Sequence, residues 1–172
     1  MKRYHKFFAL LLVFLLIFCA CGQSKDSISE GAEATVKAVL TCPNEELYSD
    51  AITMPIGLGV KLTEEQKAAI EAATQQTLDN WANAIGAYHT KEGLQQLINN
   101  GAQKYLVFAD DGIPVELIDY TLTEKGEKYE IVTANIKLNG EELQVEFTFR
   151  TGDGDNGKFY RTEICEKAVD AK

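Results

Sequence analysis

The chain has 172 residues, 45% of them hydrophobic and 25% charged, with a formal net charge of −9 at neutral pH. That length and apolar content suffice for one domain with its own core. The acidic balance, unbroken by any Lys/Arg cluster, argues against a surface for nucleic acid or anionic membrane, and no partner of that kind is expected.

The first element is an export signal. MKRYHK carries Lys2, Arg3 and Lys6 and no acid, and Phe7 to Phe18 then runs without a charge. A permanent bilayer-spanning helix needs about 20 apolar residues, so this stretch is short for one, although an uncleaved N-terminal anchor is the alternative. An ordinary signal peptidase cutting after Ala20 would meet the bulky Phe18 where it needs a small side chain. The stretch FCACG, residues 18–22, instead resembles the lipobox of bacterial lipoproteins, with Ala20 before Cys21 and Gly22 after it. Phe18 departs from the leucine usual in that pattern, and Cys19 fits less well as the modified residue because Phe18 would adjoin the cut.

The resemblance covers about the first 22 residues. It implies a signal peptide over residues 1–20, a diacylglyceryl thioether on Cys21 bearing fatty chains such as palmitate, and a protein anchored to the outer, extracytoplasmic face of a cell membrane. Two acyl chains hold stably where one binds reversibly. Losing Lys2, Arg3 and Lys6 would leave 14 basic residues against 26 acidic ones, a net charge of −12. Residues 21–30 read as a polar tether, with a reach of roughly 15 Å for eight flexible residues. Cys42 and Cys165 then remain as a pair in an exported chain. They are open to a disulfide, worth about 4 to 5 kcal/mol for so long a loop, or to two free thiols.

Helical periods fill the first half of the remaining domain, residues 31–168. Ser27 with Glu30 suggests a capping box, followed by Ala32, Val36, Val39 and Leu40 on one face. Pro43 ends that helix and suits the first turn of another, PNEELYSDA. Residues 52–62, with Pro55, Gly57 and Gly59, break the pattern as a loop. A capping box of Thr63 and Gln66 opens the longest helix, whose inner side is Ile70, Thr74, Thr77, Leu78, Trp81, Ile85 and Tyr88. From Thr90 a further helix carries Leu94, Leu97, Ile98, Gly101 and Tyr105 inward.

From Val115 the period changes to two and the chain divides into four strands. Val132, Ala134, Ile136 and Leu138 alternate with polar residues, Asn139-Gly140 supplies a two-residue turn, and Leu143, Val145, Phe147 and Phe149 resume the alternation. Turns at 124–127 and 152–157 flank this hairpin. The expected fold is α+β: N-terminal helices packed on a four-stranded antiparallel meander. Helices followed by such a meander resemble the cone-shaped folds of the nuclear-transport-factor-two-like and cystatin-like superfamilies, to which many small bacterial lipoproteins are similar.

No catalytic constellation stands out, and no cofactor is expected. His89, the single histidine after the signal, reads as a solvated cap or turn residue and not a general base. A structural zinc site wants four Cys or His ligands, and Cys42, Cys165 and His89 are too few. DGDNG, residues 153–157, places Gly157 and Ile164 where a calcium loop needs ligands, which leaves a tight hairpin turn. Trp81 and Tyr88 read as core, and Tyr120, Tyr129 and Tyr160 line a pocket or pack at the sheet rim. Two functions follow as expectations: a non-enzymatic lipoprotein domain binding a protein or peptide at the cell envelope, or a small-ligand binder or enzyme with a pocket between sheet and helices. An open cavity holding an acid or His89 would favour the second, a filled interior the first.

Overall fold

The computed structural model describes residues 27–48 and 61–168. Their order is α1 (Glu30–Leu40), α2 (Glu64–Ile85), α3 (Lys91–Leu97), a π-helical turn (Ile98–Ala102), α4 (Lys104–Asp110), then β1 (Val115–Lys125), β2 (Tyr129–Leu138), β3 (Glu141–Thr151) and β4 (Phe159–Ala168). The strands form one antiparallel sheet in the order β1-β2-β3-β4. The fold is therefore α+β with an uncrossed meander. The expected signal peptide, Cys21 and most of the 52–62 loop lie outside the described residues.

Each strand turn has a local cause. Asn139 and Gly140 take φ of 53° and 85°, left-handed values that asparagine and glycine tolerate, and they join Leu138 directly to Glu141. In the 152–157 turn, the Asp155 carboxylate accepts from the Gly152 N–H at 3.0 Å, while Gly154, Asn156 and Gly157 supply positive φ. Asp153 pairs with Lys128 at 2.8 Å. The acids of DGDNG thus serve the hairpin.

The alternation along β2 and β3 decides where the core sits. Val132, Ala134, Ile136, Val145, Phe147 and Phe149 are all 0% exposed on the inner face. Against them α1 lays Ala32, Val36, Val39 and Leu40, also 0% exposed. Each large side chain so buried contributes about 1.5–3 kcal/mol. Phe149 meets Phe147 at 6.0 Å and Phe159 at 4.8 Å between ring centroids, which ties β3 to β4. The outer face carries polar cross-strand pairs such as Thr123 with Thr133 at 2.7 Å, as a sheet with one wet face does.

Several helical details differ from the sequence expectation. The N-cap of α1 is Ser29, whose hydroxyl accepts from the Ala32 N–H, and Glu30 is already helical. Ile28 packs against the core, so the last residues of the expected 21–30 tether belong to the fold. After α1 the described residues to Tyr48 form a turn over 45–47, in which the Asn44 side chain accepts from the N–H groups of Glu46 and Leu47 and its carbonyl from the N–H of Tyr48; the remainder of the helix expected from Pro43 lies outside the described residues. The Thr63–Gln66 capping box is present in both halves, yet α2 buries only Thr77, Trp81 and Ile85, and it ends before Tyr88. The helix expected from Thr90 begins there and breaks at Gly101, where φ is 107°. The two halves, α3 and α4, then pack separately.

Candidate functional site

The C-terminal halves of α1 and α2, with the 41–47 turn, line an open groove of about 610 Å³. Small residues make its floor: Ala34 and Ala38 from α1, Ala84 from α2, with Ile85 beneath. Polar side chains of Lys37, Thr41, Glu46 and Asn83 rim it. The turn is held by Asn80, which donates to the Glu46 carbonyl at 2.5 Å, and by the Trp81 indole N–H, which donates to the Leu47 carbonyl at 3.1 Å. Trp81 is core, as its spacing indicates, and its polar tip fixes one wall of the groove.

Lys37 bonds to Glu33 at 2.6 Å, and its ammonium stands 5.9 Å from the Tyr120 ring centroid. Tyr120 donates its hydroxyl to the same Glu33 at 2.8 Å. The Lys37 and Tyr120 bonds together hold the Glu33 carboxyl below its ordinary range. The rim thus offers a cation, an acid and an amide around a shallow apolar floor. Such a slot recognises an extended segment or a small polar molecule by contact and hydrogen bonding.

His89 lies away from the groove and is not solvated. It is 2% exposed, and its Nε2 lies 2.9 Å from the Thr35 hydroxyl, which itself donates to the Gly31 carbonyl. That network makes Nε2 the protonated nitrogen. The cause is backbone pairing: Phe159 N–H donates to the Tyr88 carbonyl at 2.8 Å and Thr90 N–H to the Phe159 carbonyl at 3.0 Å, turning the ring inward onto α1. Burial lowers the His89 pKa to about 4. Among the described residues its Nδ1 and the Thr162 hydroxyl have no hydrogen-bond partner.

The cysteine pair is not bridged: Cys42 and Cys165 are both free thiols. Cys42 packs against the core on the helix side, and burial pushes its thiol up to about 11. On β4 the Glu166 carboxylate accepts from the Tyr105 hydroxyl at 2.8 Å and from Lys104, so Glu166 faces the helices. Cys165, one residue away, points to the outer face, because successive strand residues alternate. The sheet therefore stands between the two thiols.

The tyrosines do not converge. Tyr88 donates to Glu30 at 2.8 Å, Tyr129 bonds Glu124, and Tyr160 is 44% exposed. Among the described residues, no three His, Cys, Asp or Glu side chains gather as a metal site. Sequence reasoning passed over Glu130, 4% exposed, whose carboxylate accepts from the N–H of Ser29 at 3.1 Å and from its hydroxyl. Its place in the alternation with Val132 puts it inside, which was the available signal. Comparison of the chain with protein-family models, curated proteins and solved structures gave no match.

Proposed function

We propose that this chain is an extracytoplasmic lipoprotein, lipidated on Cys21, whose α+β domain is a non-enzymatic binding module at the cell envelope. The supporting observation is the FCACG stretch standing only a few residues before Ser29, which caps α1 and bonds to Glu130. Anchor and fold would thus be separated by a short segment. Among the described residues no helix is long and apolar enough to cross a membrane. The succession of helices and meander also supports the likeness to the cone-shaped superfamilies named above.

The test uses the full chain in a bacterial host fed labelled palmitate. Cys21→Ala removes the label and either releases the protein or accumulates the precursor, whereas unchanged labelling refutes the anchor. A peptide or protein partner seated between α1 and α2 is lost on Ala38→Arg, scored by surface crosslinking. The groove with Glu46 and Lys37 on its rim favours a second reading, capture of a small polar ligand. Native mass measurement of the purified protein, showing a retained small molecule that Ala38→Arg abolishes, would establish that reading in place of the first.

A further inference from the structure

The two sheet edges are unlike. β1 carries register irregularities between Leu117 and Asp119 and again between Leu122 and Glu124, which break up its outer edge. In β4 the only irregularity lies at the Arg150/Thr151 step of its partner, and from Arg161 to Ala168 the register is continuous. Tyr88 and Thr90 occupy the edge at Phe159. Thr162 is buried, Glu163 and Ile164 are half-buried, and Cys165, Glu166 and Lys167 are exposed, although α3 and the π-helical turn also pack on this strand. Among the described residues, no backbone hydrogen bond from outside the sheet reaches β4 beyond Phe159.

The direction of the backbone groups follows from the hairpin. A two-residue turn closes on a hydrogen-bonded pair, here Leu138 with Glu141, so odd residues of β3 bond to β2 and even ones to β4. The Thr151 N–H bonded to the Lys128 carbonyl at 2.9 Å obeys that parity. Glu146 pairs with Cys165, so Cys165 sends its N–H and C=O to β3, while Ile164 and Glu166 send theirs to the open edge. The Cys165 side chain stands on the outer face with Glu163 and Lys167.

We propose that the open half of β4 pairs antiparallel with the same strand of a second copy of this chain, in register about Cys165. In that register each Ile164 exchanges both backbone bonds with Glu166 of the second copy. Glu163 faces Lys167 of the second copy and Lys167 faces its Glu163, so the outer face is complementary in charge to itself. Within one copy these side chains already pair, Glu163 with Arg161 at 2.5 Å and Lys167 with Glu146 at 2.5 Å, which holds them on that face. The alternative register about Ile164 would set Arg161 against Lys167 and is disfavoured by like charge.

On the two-fold axis the Cys165 residues form a non-hydrogen-bonded pair, whose Cα atoms lie about 4.5 Å apart. Disulfides span Cα separations of roughly 4.4–6.8 Å. Oxidised glutathione closes the bridge in two exchanges. One Cys165 thiolate attacks a glutathione sulfur and expels the other glutathione as thiolate; Cys165 of the second copy then attacks the mixed disulfide and expels the second. The two thiol protons pass to the two departing glutathione thiolates.

The experiment treats the full chain, in membranes or detergent, with oxidised glutathione and measures mass under nonreducing conditions. Wild type and Cys42→Ser form a species of twice the monomer mass, and Cys165→Ser does not. Lys167→Glu slows dimer formation roughly fivefold, as the loss of attractive pairs and gain of repulsive ones requires. Adding Glu163→Lys to Lys167→Glu restores the wild-type rate, which a folding defect would not allow. A wild type that stays monomeric with glutathione on Cys165, or a Lys167→Glu variant that dimerises at the wild-type rate, overturns the proposal. So does a covalent dimer that survives Cys165→Ser under denaturing, nonreducing conditions.

Discussion

A neutral imidazole packed in the core couples the stability of this domain to acid. The unfolded chain protonates His89 near its ordinary 6.5, whereas burial holds the folded state to about 4. Below pH 6.5 the unfolded state therefore takes up a proton that the folded state refuses. Stability is full above that pH and declines as pH falls toward 4, by up to about 3 kcal/mol. Urea midpoints measured at pH 7.5 and 4.5 should show this loss, and His89→Leu should flatten the part of it due to the ring. Glu130→Ala strips the N–H and hydroxyl of Ser29 of their buried acceptor. A cost of about 1–3 kcal/mol is expected, read from the denaturant midpoint at neutral pH. Period-two alternation with Val132 carries the signal that Glu130 points inside, although the sequence reading did not single it out. What it lacked was the donor, since Ser29 lies 101 residues earlier and only the fold brings the two together. His89 was misjudged for a related reason: its burial depends on strand-like pairing with Phe159, a long-range contact with no local pattern.

Elements differ in how firmly they are held. In α2 the residues from Glu64 to Gln76 are exposed except for partial cover of Ile70 and Ala73, while Thr77, Trp81 and Ile85 are buried. Amide hydrogen exchange should therefore be fast over the first half of that helix and slow from Thr77 onward, and equal protection along its length would contradict this packing. α3 is pressed onto β4 at Gly93, where an added Cβ would lie 2.4 Å from the Phe159 carbonyl oxygen. Gly93→Ala should push helix and strand apart and lower the unfolding midpoint by the equivalent of about 1–3 kcal/mol despite alanine's better helix propensity. The strands and the Asn139-Gly140 turn were legible because alternation and turn chemistry are local. The break at Gly101 was not, since Leu94, Leu97, Ile98 and Tyr105 keep the phase of one continuous helix.

For the molecule as a whole, a helix period followed by a strand period was sufficient to indicate helices over an antiparallel meander. Adjacency of consecutive strands needed only short turns. The groove between α1 and α2 was invisible, because it arises from two helices and a turn meeting in the fold and from small side chains that carry no chemical signal. Charge was readable throughout. A chain of net charge −9 should pass through a phosphate-bearing matrix at low salt and be retained on a cationic one; retention on duplex DNA would contradict so acidic a surface.

Ser29 clasps Glu130 on β2, a strand flanked on both sides by neighbours. Tension applied to the chain ahead of residue 27 is therefore delivered to the middle of the sheet and shared across its ladders. A domain dragged by its leading end resists as a plate, where one gripped at a border strand would peel.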